Sequence, residues 1–440
     1  MNVNILKIGL IESLPRVCKS KFCHYSFVLA KTFILINIFF ILTCCSDNKM
    51  PEEYPVIDLV GSVENYQKVY FSDYFSSIEL IPLETREECL LIPSPSILAK
   101  DSFIIFRQNN GNYVFNASGK FLYELGKKGQ GPNEYLNSSR LFLNYEKPVI
   151  YIEDFRKILE FDFSGNFIHS FLKPVMEDVP LTDCSYVEDD LFVGQIYYNG
   201  KRMNKYALFN SNGDIIKYFP SYIFYNEERR GASLFSKALD HIHVDDRLYL
   251  KDYVNDTVYL LENSNLQSAY VFGFGKYSFP VEHLEFRNIK VDISESFNIF
   301  FMMGTPKFFF YQVTFPKSLP KPKAKLRYSL LDNEYRSSDG AVYGLYNIAE
   351  NTNILLDTDE YLQKGIINDI NGGLPFIPRY YAGDGVVVDV WNVEDMKEML
   401  TEEYFASKTI KDQQAHQKLK EILKNLKDDD NPVVVVAKMK

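Results

Sequence analysis

Three copies of one short pattern constrain this chain more than any other feature of its sequence. Each copy has an aromatic residue, a polar turn containing a glycine, and a segment in which apolar and polar residues alternate. The glycines Gly119, Gly165 and Gly213 lie 46 and 48 residues apart. Glycine adopts positive φ at low cost, so each copy predicts a β-hairpin with a tight turn. The copies are FNASGKFLYEL, FDFSGNFIHSF and FNSNGDIIKYF.

A repeat of roughly 40 to 50 residues is typical of the blades of a β-propeller. A further strand-like segment precedes each hairpin: SFIIFRQ, PVIYIED and DLFVGQIYY. RLYLKDYVNDTVYLLENSNLQSAYVFGF is predicted to be a fourth copy, with the turn at Asn263–Asn265 instead of a glycine. PKFFFYQVTFP and AKLRYSLLD are predicted to be strands of a fifth unit, and GVVVDVWNV a strand of a sixth. The 35 Phe and 31 Tyr residues favour the same all-β interpretation, because aromatic side chains prefer strands.

The N-terminus has the pattern of an export signal. Lys19, Lys21 and Lys31 precede the apolar run TFILINIFFILT, which is too short to span a membrane as a helix. The run leads into Leu42, Thr43 and Cys44 and then Cys45, an order that resembles a lipoprotein box. The alternatives are an uncleaved anchor or a buried strand. We expect cleavage before Cys45 and lipidation of that residue, which would attach the protein to a membrane.

Several segments together resemble the six-bladed β-propeller lipoproteins of Bacteroides-type bacteria. They are SSIELIPLET, the repeated hairpins, GKKGQGPNEY, NDTVYLL, NDINGGLPFIP and DDDNPVVVVAKMK. The resemblance implies an all-β fold, a six-bladed, NHL-like β-propeller with four-stranded antiparallel blades. It also implies a lipid-anchored protein of the outer membrane of a Gram-negative envelope, facing the periplasm or the cell surface. It implies no catalytic or ligand-binding residues.

The sequence also predicts how the chain is divided. Residues 1–44 are the expected signal peptide, 45–66 a flexible tether and 67–440 the propeller. Helical spacing of apolar residues predicts a helical insertion at about 394–427. A propeller must join its first and last blades to avoid exposed strand edges. We therefore expect the β-branched run at about 432–439 to pair with the N-terminal strand SSIELIPLE or its neighbours.

Charge and cysteine content narrow the classes of partner. The formal net charge is −10 at pH 7 and no basic stripe is present, which excludes a typical nucleic-acid-binding surface. Beyond Cys45, only Cys89 and Cys184 remain. They have no metal or redox spacing, and the sequence leaves open whether they form a disulfide or stay as two thiols. No cofactor is expected.

The glycine-rich segment ELGKKGQGPNEY invites comparison with a phosphate-binding loop. A P-loop requires G-x-x-x-x-G-K-[ST] between a strand and a helix, and this segment has neither the spacing nor the helix. A turn between blades is the favoured interpretation. A small anion nest formed by backbone amides beside Lys127 and Lys128 is the remaining functional hypothesis.

Two further groups of residues suggest binding chemistry. His241 and His243 share one face of a predicted strand, but no third metal ligand has a matching spacing, so no metal site is predicted. The densest group of recognition residues is Arg379, Tyr380, Tyr381 and Asp384, in an apparent loop. The alternative to a binding role is that these residues pack between blades and form a salt bridge. Together with Lys127 and Lys128, these four are the predicted ligand-binding residues.

Catalytic motifs are missing from the sequence, which has neither G-x-S-x-G nor H-E-x-x-H. The sequence therefore favours an envelope lipoprotein that binds an unidentified ligand or envelope protein over an enzyme. The alternative is a propeller-type glycan hydrolase or lyase that uses carboxylates at the mouth of the channel. Carboxylates converging on the channel with Arg or His beside them would favour the enzyme, and a smooth or hydrophobic mouth would favour binding.

Overall fold

A computed structural model of the protein describes most of the chain from residue 54 onward. The predicted signal peptide and lipidation site, residues 1–45, lie outside the described residues. The described ranges are 54–92, 96–100, 103–144, 146–176, 178–196, 204–220, 238–252, 255–279, 293–323, 327–329, 334–336 and 341–440.

Six antiparallel sheets of four strands each form a six-bladed β-propeller, as predicted. Within blades 1 to 3 the strands follow chain order from the inner to the outer edge. Blade 1 contains Ser96–Lys100, Phe103–Gln108, Gly111–Asn116 and Phe121–Glu124. Blade 2 contains Arg140–Leu143, Val149–Glu153, Lys157–Asp162 and Phe167–Leu172. Blade 3 contains Thr182–Glu188, Leu191–Gln195, Asn204–Asn210 and Ile215–Pro220.

Blades 4 to 6 receive strands from the N-terminal part of the described chain. Blade 4 contains Ala238–Val244, Arg247–Asp252, Thr257–Glu262 and Asn265–Gly273, with Val56–Asp58 added in parallel at its outer edge. Blade 5 contains Asn298–Gly304, Phe308–Thr314, Ala341–Asn347 and Thr352–Leu356, with Tyr66–Gln67 added in parallel. Blade 6 contains Tyr380–Gly383, Val386–Trp391, Val433–Met439 and Phe75–Pro82.

Short elements connect the blades. The paired strands outside the blades are Lys127–Lys128 with Glu134–Tyr135, Val175–Met176 with Val179–Pro180, and Arg327–Ser329 with Glu334–Arg336. The α-helices are Leu59–Ser62, Phe71–Tyr74, Val393–Met399, Glu402–Ala406 and Gln413–Asn425. The 3-10 turns are Glu87–Cys89, Gly275–Tyr277 and Ile293–Glu295.

The repeated glycines lie where the sequence predicts them. Gly119, Gly165 and Gly213 have φ of 80°, 83° and 83°, in the turn between the third and fourth strands of blades 1, 2 and 3. Each donates its amide to the carbonyl three residues earlier. The fourth copy reverses at the equivalent place with a tighter turn, in which Asn263 and Ser264 both have positive φ. The predicted hairpins are therefore confirmed.

The two ends of the described chain meet in blade 6, as predicted. Val433–Met439 lies between Val386–Trp391 and Phe75–Pro82 and pairs antiparallel with both. Val433, Val434 and Val435 are completely buried. The last strand of the chain is therefore a central strand of its sheet, and the N-terminal strand closes the ring.

The predicted helical insertion is confirmed between the second and third strands of blade 6. Its longest helix is Gln413–Asn425. Asp412 caps the N-terminus of this helix, and its side chain accepts hydrogen bonds from the amides of Gln414 and Ala415. Leu419 is buried in the main core on one face of this helix. Among the described residues, no helix has the length and hydrophobicity needed to cross a bilayer.

Aromatic side chains fill the spaces between neighbouring blades. Between blades 2 and 3, the ring of Tyr151 lies edge-on to that of Phe192, with the centroids 5.4 Å apart. Phe192 also contacts Phe209 and Phe171 in the same buried cluster. Such contacts explain why the chain can use so many aromatic residues, since each interface between blades needs large side chains.

Two segments differ from the sequence-based expectation. AKLRYSLLD was predicted to supply a strand of the fifth unit, but among the described residues Arg327–Ser329 pairs with Glu334–Arg336 alone, in a hairpin outside blade 5. The third strand of that blade is Ala341–Asn347 instead. The predicted tether, residues 45–66, overlaps the folded body over residues 54–66, because Val56–Asp58 pairs with blade 4.

Candidate functional site

A cavity of about 330 Å³ lies on the axis of the propeller, and we call it the axial chamber. Its walls include residues from the inner strand of every blade and one residue from the second strand of blade 1. A cavity with contributions from six blades is the usual place for a ligand in such a fold. Its charged and imidazole-bearing residues are Arg107, Arg140, Asp183, His241, His243 and Arg379.

Three arginines give the axial chamber a positive wall. The guanidinium of Arg107 donates to the carbonyl of Ser138 at 2.8 Å and to the hydroxyl of Ser96 at 3.2 Å. Burial and the neighbouring charge of Arg140 lower the pKa of Arg107. Arg140 is half-buried at the start of the inner strand of blade 2. In the part of the chain that the structure describes, no carboxylate forms an ion pair with Arg140.

The third arginine, Arg379, is held by a buried carboxylate. Its Nε lies 2.8 Å from Oδ1 of Asp389, which also accepts the backbone amide of Ile377 and the indole N–H of Trp391. Burial lowers the pKa of Arg379, but the attraction of Asp389 more than offsets this, so its pKa is raised overall. The charge of Arg379 is therefore largely neutralised within the protein.

His241 and His243 lie on the inner strand of blade 4 and both line the axial chamber. Burial, together with the charge of Arg140, lowers the pKa of His243 to about 3 and that of His241 well below its usual value. Both imidazoles are therefore neutral at pH 7. Nδ1 of His241 lies 2.6 Å from the hydroxyl of Ser185, while its buried Nε2 has no hydrogen-bond partner among the described residues.

A second cavity, of about 530 Å³, lies at the end of the axis where the inner strands end, and we call it the acidic mouth. Two cationic side chains, Lys100 and Arg247, also line it. Among the described lining residues carboxylates outnumber cations, so these residues together carry a negative charge. The carboxylates that line the acidic mouth are Glu146, Glu188, Asp245, Asp246, Glu262 and Asp384.

Two tyrosines hold carboxylates of the acidic mouth in place. The hydroxyl of Tyr186 donates to Glu146 at 2.9 Å, and that of Tyr381 donates to Asp245 at the same distance. Burial, reinforced by these carboxylates, raises the pKa of both phenols, to about 12 for Tyr381. Both tyrosines are therefore hydrogen-bond donors at neutral pH.

The structure brings four of the predicted ligand-binding residues together. Arg379, Tyr380 and Tyr381 line the axial chamber. Tyr381 and Asp384 line the acidic mouth. All four lie on or beside the inner strand of blade 6, Tyr380–Gly383, and not in the loop that the sequence suggested. That they bind a ligand stays a prediction.

The predicted residues Lys127 and Lys128 lie elsewhere. They are exposed in a short strand that pairs with Glu134–Tyr135, and they line neither axial cavity. The amide of Gly131 donates to the carboxylate of Glu134 at 2.9 Å, and the amide of Gly129 donates to the carbonyl of Tyr135. Both of these amides of the expected anion nest therefore already have partners within the loop.

Metal and thiol chemistry receive no support from the described residues. No group of three or more His, Cys, Asp or Glu side chains in this part of the chain is arranged to hold a metal ion. Cys89 and Cys184 are both buried free thiols. Burial raises the pKa of each of these thiols, which makes them poor nucleophiles.

Arg107 and Arg140 line the axial chamber, although neither was predicted from the sequence to be a site residue. Each is a single arginine in a strand of apolar residues, FIIFRQ and RLFL. A charged residue that interrupts a buried strand is a signal for an inward-facing site once the inner strands are known. Without the blade geometry, the sequence did not indicate that these two arginines meet His241 on the axis.

Fold and site together define a six-bladed β-propeller with a cationic chamber and an acidic mouth on its axis. Residues 54–438 match the family described as Domain of unknown function (DUF4934), and the chain belongs to that family. Comparison with the curated proteins gives no match.

Solved structures from Bacteroides are among the proteins to which this chain is similar. A candidate exported protein from Bacteroides fragilis NCTC 9343 is similar at 18% identity and a TM-score of 0.61, over 88% of this chain and 99% of that chain. A member of the duf4221 family from Bacteroides vulgatus is similar at 13% identity and a TM-score of 0.45, over 83% of this chain and 97% of that chain. The first likeness supports the propeller fold.

Proposed function

We propose that this protein is a cell-envelope lipoprotein whose propeller binds a small polar ligand on its axis, with no catalytic role. The observation that carries the proposal is the axial chamber, to which every blade contributes and in which Arg140 has no carboxylate partner among the described residues. Buried polar groups are stable when they are hydrogen-bonded, so a ligand that provides the missing partners would gain affinity there.

We expect a thermal-shift screen of glycans, peptides and small metabolites on the full-length protein in detergent to find a ligand. At a concentration of about 100 times Kd, a ligand stabilises the folded state by about 2.7 kcal/mol and raises the unfolding temperature by several degrees. Arg140→Gln should remove this shift, because it removes the charge without changing the backbone. The matched control is Arg156→Gln, an exposed arginine away from the axis. Equal shifts in both variants would contradict the axial site.

Envelope localisation rests on the N-terminal sequence. The apolar run before Cys45 has the length of a signal sequence, and a relative of the same fold is described as an exported candidate. An outer-membrane lipid anchor would leave the propeller in the periplasm or on the cell surface, where it could meet nutrients or envelope proteins.

Lipidation at Cys45 is tested by metabolic labelling with a fatty-acid analogue. We expect label in the wild-type protein and none in Cys45→Ser, because Cys45 follows the Leu-Thr-Cys of the predicted lipoprotein box. Cys44→Ser is the matched control and should keep the label. Label that persists in Cys45→Ser would contradict the assignment. Separately, protease treatment of intact cells distinguishes a surface location from a periplasmic one for the wild-type protein.

A specific observation favours a second candidate function, a glycan hydrolase or lyase. The mouth is not smooth or hydrophobic, because six carboxylates converge on it with Arg247 and His243 beside them. This is the arrangement that the enzyme alternative requires. Mass spectrometry of the glycans after the screen would detect products. Loss of those products in Glu146→Gln and Asp245→Asn, with ligand binding retained, would favour the enzyme.

A further inference from the structure

The axial chamber carries an excess of positive charge. Two of its three arginines, Arg107 and Arg140, do not pair with a carboxylate in the described residues. Among the described residues that line the chamber, the carboxylate is Asp183, and Asp389 lies behind Arg379. Counted over these described residues, three guanidinium groups stand against two carboxylates. In a recessed cavity such an excess attracts an anion more strongly than on a flat surface, because the surrounding protein reduces screening by water.

His241 adds a directional requirement to this charge. The residue is 8% exposed, and its Nε2 has no hydrogen-bond partner among the described residues although it is buried. Its other nitrogen, Nδ1, is fixed by Ser185. His241 lines the same chamber as Arg107 and Arg140. A ligand carboxylate could accept one hydrogen bond from Arg140 and another from the Nε2–H of His241 in its neutral form.

The acidic mouth has the opposite charge and shares walls with the axial chamber. His243 and Tyr381 line both cavities. A ligand that carried only negative charge would be repelled by the mouth, and one that carried only positive charge would be repelled by the chamber. Opposite charges in two adjacent cavities that share wall residues match a molecule with an anionic and a cationic end.

The volumes of the two cavities limit the size of the ligand. The two cavities measure about 330 and 530 Å³, within the range of small-molecule sites in proteins. Free amino acids and short peptides carry a carboxylate and an ammonium group separated by a backbone that can lengthen by one residue at a time. Tyr380 and Tyr381 offer aromatic surface to such a backbone.

We propose that the propeller axis binds a zwitterionic ligand of the amino-acid or short-peptide class, with its carboxylate at Arg140 and His241 and its ammonium group among the carboxylates of the acidic mouth. This inference rests on the proposed axial binding function and names its ligand class.

The test uses the full-length protein in detergent and three random tripeptide libraries: one with free termini, one N-acetylated and one C-amidated. Peptides retained by the protein are identified by mass spectrometry, and the most enriched free peptide is titrated by calorimetry. We expect enrichment only from the free library. Acetylation or amidation of the enriched peptide should weaken its binding at least about tenfold, the loss expected for one charge-assisted contact.

Matched variants assign the two ends. Arg140→Gln should remove the preference for a free carboxylate, and Asp384→Asn should weaken the preference for a free amine. Asp384 has a φ of 50°, which asparagine also tolerates, so this substitution should leave the fold intact. Arg156→Gln should bind as the wild type does. Unfolding temperatures of all variants should match, which excludes loss of folding as the cause.

Four results would overturn the inference. Equal retention of the capped and free libraries would show that the termini are not recognised. Binding of inorganic phosphate that depends on Arg140, without any peptide binding, would show an anion site only. A glycan that binds and depends on Arg140 would leave the axial binding function standing and refute the zwitterionic ligand. No binding by any library or screened compound would refute both.

Discussion

Removal of Val433–Lys440 should abolish cooperative folding of the propeller. This segment contains the strand Val433–Met439, which pairs with the second strand of blade 6 on one side and with Phe75–Pro82 on the other. Without it, Phe75–Pro82 loses its partner strand, Val386–Trp391 keeps only Tyr380–Gly383, and the ring is open. Val433, Val434 and Val435 are fully buried, and burial of each aliphatic side chain contributes about 1.5–3 kcal/mol. A domain with about 5–15 kcal/mol of total stability cannot absorb that loss together with two bare strand edges.

The measurement is thermal unfolding followed by circular dichroism and calorimetry. The truncated protein should show no cooperative transition near the wild-type temperature. Adding a peptide of residues 432–440 should restore the transition, because it supplies the missing strand, whereas a scrambled peptide of the same composition should not. Unfolding of the truncated protein at the wild-type temperature would refute closure by the two chain ends.

Repetition made most of the fold predictable. Gly119, Gly165 and Gly213 occupy equivalent turns because blades 1 to 3 need the same turn geometry. Turn geometry depends on a few neighbouring residues, so it can be predicted from a short stretch of sequence. The closing strand was predictable for a related reason, since a β-branched run without polar alternation indicates a strand buried on both faces. The hairpin at Arg327–Ser329 was misassigned because a strand pattern does not specify its partner.

The site was less predictable, since its residues meet only after the ring closes. Arg379, Tyr380, Tyr381 and Asp384 were identified because they are adjacent in the sequence. Arg140 comes from another blade, and its role depends on which face of its strand points to the axis. No local pattern records that position. The glycine-rich loop resembled a functional motif in sequence, but its Gly131 amide already donates to Glu134 in the folded protein.

Lys173→Met should destabilise the protein more than any single surface substitution, because it leaves a carboxylate buried without its counter-charge. Nζ of Lys173 lies 2.7 Å from Oε1 of Glu153, and both side chains are about 1% exposed. The other oxygen of Glu153 accepts the amide of Cys184, which links blade 2 to the inner strand of blade 3. Removing one partner of a buried ion pair costs about 3–5 kcal/mol. Chemical denaturation of the wild type and the variant measures this loss in the free energy of unfolding.

The double variant Lys173→Met with Glu153→Gln separates the buried charge from simple loss of packing. Glutamine has the shape of glutamate and keeps an oxygen for the amide of Cys184, but it carries no charge. The double variant should therefore recover at least about half of the stability lost in Lys173→Met, since replacing both charges removes the desolvation cost. Equal or greater destabilisation in the double variant would show that Lys173 stabilises the junction of blades 2 and 3 by its packing and not by its charge.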